Sequence, residues 1–205
     1  MPSRFPARRD QQLVQIVDAA LADATRRAGD WLACRPGCTQ CCIGVFAINQ
    51  LDAARLTQGF RKLKSLAPDR AAAVHQRARD AMSRLSASFP GDPVTGILAG
   101  GEESRRRFED FANDEPCPAL NAQTGLCELY DSRPMTCRVF GPPVRSEDGL
   151  GVCELCFHGA THEQIQSCEM IVDPENLEEH LLAELEERTE VHGSTIIAFC
   201  LGLLN

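Results

Sequence analysis

Residues 34–42 read CRPGCTQCC and place Cys34, Cys38, Cys41 and Cys42 within nine positions. Thiolates bind zinc, Cu(I) and iron–sulfur clusters well, and two thiolates on one tight turn can reach the same ion. The spacing Cys34-x3-Cys38-x2-Cys41 supplies three such ligands. Adjacent cysteines usually point in different directions, so Cys42 is either a ligand of a second metal or multinuclear cluster, or a small buried side chain. We expect this stretch to organise the fold around a metal centre.

The composition favours a single globular domain in a reducing compartment. The chain has 205 residues, of which 43% are hydrophobic, enough to form a core without crosslinks. Its first residues lack the apolar stretch of a secretory signal, so we expect a cytoplasmic protein. In the cytoplasm, eleven cysteines are better explained as metal ligands or redox centres than as disulfides. The longest apolar run, residues 195–204, is too short to cross a membrane and predicts a buried helix.

The charge distribution argues against general nucleic-acid binding. The formal net charge is −8, the isoelectric point is near 5.1, and the chain has one tryptophan and one tyrosine. Acidic side chains are concentrated in residues 160–192 and basic ones in residues 52–84. An acidic helix over residues 174–192 is therefore a candidate surface for a protein partner, although charged helix faces are usually only solvated.

Apolar residues recur at helical spacing through most of the chain. The predicted helices cover residues 9–32, a segment with Asn49 as N-cap, a segment that begins at Pro68, residues 102–111, residues 161–170, a segment capped by Asp173 and terminated by Gly193, and residues 195–204. The second and third of these helices are expected to form a helical hairpin.

The periodicity breaks up between residues 114 and 158, where prolines and glycines predict turns and a short strand near residues 126–130. Five cysteines lie in this irregular segment. We therefore predict a mainly α fold, with one helical domain around an irregular, cysteine-rich metal-binding centre that includes a short β-hairpin. The domain spans residues 1–205: a cysteine-cluster core at 34–158 with a helical insertion at 49–112, followed by C-terminal helices at 161–205.

The second group of cysteines consists of Cys117, Cys127 and Cys137, which are spaced ten residues apart. This spacing suits three turns that converge on one centre, and metal binding would explain why so irregular a segment is ordered. Arg133 and Arg138 flank the last cysteine. They are either solvated or, as we favour, offset the negative charge of clustered thiolates and hydrogen-bond to sulfur.

A third group is the pair Cys153-x2-Cys156, followed by His158 and His162. A Cys-x2-Cys turn presents two sulfur ligands, but the histidines of a zinc finger would lie about a dozen residues further along. Cys153 and Cys156 are therefore either ligands of a second site or additions to the main centre. His158 is more simply explained as a surface residue.

These elements together resemble the YkgJ-type cysteine-cluster family, described as zinc- or iron-chelating domains. In that family a CxxCxxCC-like element precedes a CPxL element and a C-x-IY-x-x-RP-x-x-CR-x-F element. The matching positions here are Cys34, Cys38, Cys41, Cys42, Cys117, Pro118, Leu120, Cys127, Tyr130, Arg133, Pro134, Cys137, Arg138 and Phe140. The first gap holds three residues rather than two, and Leu129 replaces the common isoleucine. Neither departure removes a ligand.

The resemblance implies that metal or iron–sulfur binding is the main activity. Our leading hypothesis brings together Cys34, Cys38, Cys41, Cys42, Cys117, Cys127 and Cys137. Seven thiolates exceed one tetrahedral site, so we expect either a cluster with spare cysteines or two metals. The first spacing favours a [4Fe–4S] cluster or another iron centre, with zinc as the alternative.

An enzyme is the competing hypothesis, because one branch of the family is associated with methylation of flagellin lysines. Such an enzyme would be an iron–sulfur-dependent protein-lysine methylase or a redox catalyst. It would need an open iron site and a cleft lined by Tyr130, Arg133 and Arg138.

Overall fold

The computed structural model describes residues 5–146 and 149–204. Within these ranges the helices are α1 Ala7–Ala28, α2 Gln50–Leu66, α3 Pro68–Leu85, α4 Glu102–Glu109, α5 Met135–Val139, α6 His162–Ser167, α7 Leu177–Thr189 and α8 Ile197–Gly202. Short strands form antiparallel pairs: β1 Gly91–Asp92 with β2 Ile97–Leu98, β3 Leu120–Asn121 with β4 Leu126–Cys127, and β5 Val144–Ser146 with β6 Gly149–Gly151. The predicted mainly α fold is confirmed, and the strand predicted near residues 126–130 is β4.

The helices α2 and α3 form the predicted hairpin. The side chain of Asn49 accepts a hydrogen bond from the Asp52 N–H at 2.9 Å, which satisfies one of the free donors at the start of α2. Pro68 is the first residue of α3, where a missing N–H costs nothing. Phe60 of α2 and Val74 of α3 are buried where the two helices pack. Both predicted helix starts are confirmed.

The first helix ends earlier than the sequence predicts. The α-helical part stops at Ala28, because Gly29 adopts a φ of +51° that L-residues rarely reach. A 3-10 turn at Gly29–Trp31 follows it. The predicted end at residue 32 is therefore wrong by one turn, and the chain leaves the helix just before the first cysteine.

The helix α7 is shorter than predicted at both ends. It begins at Leu177. The Asp173 carboxylate, which lies before the helix, accepts the Glu178 N–H at 2.8 Å and so satisfies a free donor of the first turn. It ends at Thr189, where the following residue adopts a left-handed φ of 59°. Gly193 is therefore not its terminator. The helices α4, α6 and α8 lie inside the ranges predicted for them.

Two apolar groups form most of the core. The first lies between α2, α3 and α8 and contains Ile48, Leu56, Phe60, Ala71, Val74, Ala78, Ala119, Leu129, Ile197 and Leu201. The second joins α1, α2 and α7 and contains Leu13, Val17, Ala24, Leu51, Met135, Met170, Leu181 and Leu185. No helix in the described ranges has both the length and the apolar character needed to cross a bilayer.

A buried ion-pair network connects three helices. Arg55 of α2 donates through Nε to both carboxylate oxygens of Asp10 of α1, at 3.1 Å each, and its Nη1 donates to Asp52. Asp52 also accepts the N–H of Met135, the first residue of α5, at 3.0 Å. All three charged side chains are buried. The network therefore holds α5, which carries Cys137, against the helical shell.

Replacing Asp10 with asparagine should destabilise the fold strongly. The substitution Asp10→Asn keeps the size of the side chain but leaves the buried Arg55 guanidinium with one of its two carboxylate partners, Asp52, whose pKa is itself raised by burial. Removal of one partner from a buried pair costs about 3 kcal/mol of unfolding free energy or more. Urea denaturation at equal metal content measures this loss.

The matched control is Glu102→Gln on α4. Glu102 pairs with Arg106 one turn along the helix, and both side chains are more than 70% exposed. Exposed pairs contribute little, so this acid-to-amide change should alter the unfolding free energy by about 0.5 kcal/mol or less. Equal losses in the two variants would contradict a structural role for the Arg55 network.

Candidate metal centre

The four cysteines of residues 34–42 lie on two consecutive turns. The Cys38 N–H donates to the Arg35 carbonyl at 2.9 Å and closes the first turn. The Cys42 N–H donates to the Thr39 carbonyl at 2.8 Å and closes the second. The motif is therefore divided into two pairs of thiols, and the two pairs meet different parts of the chain.

The second pair belongs to a group that we name the five-thiol set: Cys41, Cys42, Cys117, Cys127 and Cys137. The Cys42 carbonyl accepts the Cys117 N–H at 2.8 Å, and Cys41 directly precedes Cys42 in the chain. Cys137 lies within electrostatic reach of Cys117, Cys41 and Cys127. The structure thus brings together five of the seven cysteines in the leading hypothesis.

Each member of the five-thiol set has its own structural support. Cys127 lies in β4 and pairs in register with Leu120 of β3, while the Leu120 N–H donates to the Cys117 carbonyl at 3.0 Å. Cys117 and Cys127 pack against the apolar group between α2, α3 and α8. Cys137 is held through α5 by the Arg55 network. Separate segments of the irregular region therefore converge on one place.

The first pair belongs to a group that we name the four-thiol set: Cys34, Cys38, Cys153 and Cys156. Leu32 and Ala33, just before Cys34, pack with the apolar group that holds Cys156 and Cys153, while burial and the charges of Cys156, Cys153 and Cys38 raise the pKa of Cys34. The Cys156 N–H donates to the Cys153 carbonyl at 2.9 Å, which closes the Cys-x2-Cys turn. The sequence left open whether Cys153 and Cys156 form a second site or join the main centre. This arrangement separates them from the five-thiol set and favours a second site.

Burial and mutual contact control the protonation of the five-thiol set. Burial raises the pKa of Cys117 to about 12 and also raises that of Cys137. In the adjacent pair, the hydrogen bond from Cys42 and the charge of Arg133 lower the pKa of Cys41 to about 6, whereas the pKa of Cys42 rises. A cation bound here would displace the protons that these thiols carry.

Two thiols of the four-thiol set, Cys34 and Cys153, have a raised pKa. Burial and then the neighbouring Cys156 raise the pKa of Cys34 to about 12, and burial raises the pKa of Cys153. Clustered thiols resist ionisation because each thiolate repels the next. A bound divalent cation favours the thiolate form over the thiol and so deprotonates its ligands.

The two arginines beside Cys137 differ in their contacts. Arg138 is buried, and its Nη1 donates to both carboxylate oxygens of Asp18 of α1 at 2.7 and 2.9 Å. Its Nη2 donates to the Asp131 carbonyl, and its Nε has no partner among the described residues. Because a carboxylate is the stronger partner, Arg138 holds α5 on α1, and no contact supports its predicted hydrogen bond to sulfur. Arg133 remains electrostatically coupled to Cys41.

A groove of about 610 Å³ lies between α1 and residues 130–138. Leu21 lines the α1 side, while Tyr130 and Arg133 line the other. The Arg133 guanidinium carbon lies 3.9 Å from the centroid of the Tyr130 ring, which is 60% exposed. None of the described cysteines lines the groove, and Arg133 is the lining residue whose charge also lowers the pKa of Cys41. Its volume is within the range typical of small-molecule sites.

The donor chemistry of both sets fits a thiophilic metal. All eleven cysteines are free thiols. Within residues 5–146 and 149–204, no three Cys, His, Asp or Glu side chains are already arranged to hold a metal ion. A cysteine sulfur moves by rotation about one bond, so both sets can supply sulfur ligands from turns already in place.

The comparison with protein families agrees with the donor chemistry. Residues 33–169 match the model of the family described as "CxxCxxCC: Putative zinc- or iron-chelating domain", and the chain belongs to this family. The match confirms the resemblance drawn from the cysteine motifs and supports metal binding by a cysteine cluster. It spans both the five-thiol set and the four-thiol set. Neither the curated proteins nor the solved structures give a significant match.

Sequence reasoning missed two acidic residues that position the site. Asp18 lies on the polar side of α1, and Asp52 resembles an ordinary acid in the first turn of α2. Their partners are 120 and 83 residues away in the chain, so no local pattern could identify them. His158 and His162 are exposed, as expected of surface histidines.

Replacing Gly141 with alanine should disturb the four-thiol set. A Cβ atom at this position would lie 2.8 Å from the Cys34 Sγ, and the backbone φ of +115° disfavours any side chain. The strained backbone alone costs about 1–3 kcal/mol, and the steric contact adds to it. We expect Gly141→Ala to lower both the unfolding free energy and the bound metal per chain, measured by denaturation and elemental analysis.

Gly149→Ala is the matched control. Gly149 has a φ of +119°, but no described atom lies within 4 Å of its Cβ position. This variant should show the backbone cost without the loss of metal. Equal metal content in the two variants would show that the contact between Gly141 and Cys34 does not affect metal binding.

Proposed function

We propose that the protein is a cytoplasmic, metal-binding cysteine-cluster protein of the YkgJ type, whose five-thiol set holds an iron–sulfur cluster. Zinc is the alternative metal. The observation that carries the proposal is the convergence of five thiols from separate segments beside the guanidinium of Arg133. Eleven free thiols support a reducing, cytoplasmic location.

The number of thiols favours a cluster over a single zinc ion. A closed zinc site uses four ligands, and the adjacent Cys41 and Cys42 are difficult to direct at one ion. A multinuclear cluster offers several coordination positions, and all-cysteine ligation is typical of iron–sulfur clusters. When bound, such a cluster would supply one-electron chemistry. Arg133 would offset part of its negative charge.

The protein's own residues would hold the cluster and limit its contact with water. Cys117 and Cys137 are strongly desolvated, and the hydrogen bond between Cys117 and Cys42 fixes two ligand segments relative to each other. Metal binding would order the irregular region from Cys117 to Cys137 because its free energy adds to folding. Binding, sensing or delivery of metal follows as the function.

The test is anaerobic purification followed by iron, zinc and sulfide analysis and a visible spectrum. We expect brown protein with iron and sulfide. The double substitution Cys117→Ser and Cys127→Ser should remove both, because two ligands are lost from the five-thiol set. Colourless wild-type protein with zinc bound to this set would mean that the five-thiol set is a zinc centre and not the site of an iron–sulfur cluster. Absence of any metal from the wild type would overturn the proposal.

Cys200→Ala is the matched control for the loss of a thiol. Cys200 lies on α8, and its Sγ donates to the Ala53 carbonyl at 3.5 Å, away from both thiol sets. This variant should retain iron and sulfide at the level of the wild type. Loss of metal from Cys200→Ala would mean that the metal content reports general stability and not ligation.

The groove beside Arg133 favours an enzyme as a second candidate function. A methylase or redox catalyst needs a substrate site next to its reactive centre, and this groove is lined by Tyr130, Arg133 and Arg138. A protein-lysine methylase would also bind a methyl donor such as S-adenosylmethionine. Under this candidate the groove would hold one of the two reactants.

Calorimetric titration with S-adenosylmethionine tests the methylase form of this candidate. Ala22 lines the groove and is exposed, so Ala22→Trp should fill the groove without disturbing the core. Ala19 is exposed on the same helix but does not line the groove, which makes Ala19→Trp the control. Binding that is lost only in Ala22→Trp supports the methylase, and no binding by the wild type removes it.

A further inference from the structure

We propose that the four-thiol set is a second, separate metal site that binds one zinc ion through Cys34, Cys38, Cys153 and Cys156. The site goes beyond the proposed function because it uses no member of the five-thiol set. It would clamp the turn at Cys153–Cys156 onto the chain just after α1. Its role would be structural.

The backbone already presents these four thiols as two pairs. The N–H of Cys38 bonds to the carbonyl of Arg35, and that of Cys156 bonds to the carbonyl of Cys153, each at 2.9 Å. Two short turns that each carry two cysteines are the usual form of a closed, four-cysteine zinc site. Leu32 and Ala33, just before Cys34, pack with the apolar group that holds Cys153 and Cys156, which places the two turns side by side.

Contacts on both sides fix the two turns relative to one another. The Phe157 N–H donates to the Trp31 carbonyl at 2.8 Å, next to the Cys-x2-Cys turn. Gln40, between the two thiol pairs of the motif, donates to Glu154. These two hydrogen bonds join segments more than 110 residues apart in the chain, so little ordering remains to be done when a metal binds.

The surroundings of the four thiols suit a partly exposed structural ion, because Cys156 is buried, Cys38 and Cys153 are half-buried and Cys34 is exposed. Cys153 and Cys156 pack with an apolar group that includes Ala28, Phe157 and Cys168. The Cys34 thiol occupies space that only glycine leaves open, since a Cβ at Gly141 would approach it to 2.8 Å. The ligands are four sulfurs with no open position, which suits zinc and its tetrahedral geometry.

The separation from the five-thiol set follows from the chain between Cys38 and Cys41. Only Thr39 and Gln40 lie between them, yet a new turn starts there and directs Cys41 and Cys42 toward Cys117. Cys153 and Cys156 pack with the apolar group that includes Ala28 and Phe157, whereas Cys117 and Cys127 pack with the apolar group between α2, α3 and α8. Two centres therefore fit the thiols better than one.

The test compares metal content in two double variants purified in the presence of zinc and reductant. Cys153→Ser with Cys156→Ser should lose one zinc per chain and keep the metal and visible spectrum of the five-thiol set. Cys117→Ser with Cys127→Ser should lose the metal and visible spectrum of the five-thiol set and keep one zinc per chain. The inference fails if the first variant keeps all its zinc, or if either variant loses every metal, as a single shared centre would require.

A measurement on the wild-type protein guards against a variant that does not fold. A chelator is added stepwise to the metal-loaded chain, and alkylation of each cysteine is followed by mass spectrometry. Cys34, Cys38, Cys153 and Cys156 should become reactive together as one equivalent of zinc leaves. Reactivity that is unrelated to zinc release, or a disulfide between Cys34 and Cys156 in place of the metal, would overturn the proposal. Iron bound to the five-thiol set is measured separately, so failure of the zinc site can be distinguished from failure of the proposed function.

Discussion

The buried guanidinium of Arg55 is the interaction on which the positions of the other parts depend. It joins Asp10 of α1 to Asp52 of α2, and Asp52 in turn binds the first N–H of α5. A buried charge without a partner is costly, so the three helices cannot separate without a large loss of free energy. The cysteine-bearing segments have little regular structure of their own. They are ordered because this helical shell holds their ends, and metal binding would add to that order.

The division of the thiols into two sets is the main consequence for function. A single motif, residues 34–42, contributes two cysteines to each set, so only Thr39 and Gln40 separate the two candidate centres along the chain. The five-thiol set lies beside Arg133 and the groove along α1, where a reactive centre could meet a ligand. The four-thiol set packs against an apolar group that includes Phe157 and is suited to holding the chain together. One family motif can therefore support both a structural and a functional site.

The two arginines of the RP-x-x-CR element, Arg133 and Arg138, have different roles because they make different tertiary contacts. Arg133 and Arg138 are five residues apart and both flank the cysteine of α5. Arg138 is buried and its Nη1 is held by the half-exposed carboxylate of Asp18, whereas Arg133 lies over the Tyr130 ring and acts on Cys41. The sequence predicts the same sulfur-directed role for both. It cannot distinguish them because Asp18 lies 120 residues away from Arg138 on a helix face that resembles ordinary solvated surface.

The sequence by itself determined the helical class, the caps at Asn49 and Pro68, the family and the metal-binding chemistry, since these depend on local periodicity, turn residues and cysteine spacing. It also indicated that the region from residue 114 onward is irregular. Only the tertiary structure decided which cysteines meet. The pairing of Cys34 with Cys156 and of Cys42 with Cys117 joins residues far apart in the chain, and the direction of a thiol depends on the turn that carries it. Spacing identifies the ligands of a site, but long-range packing assigns each ligand to its site.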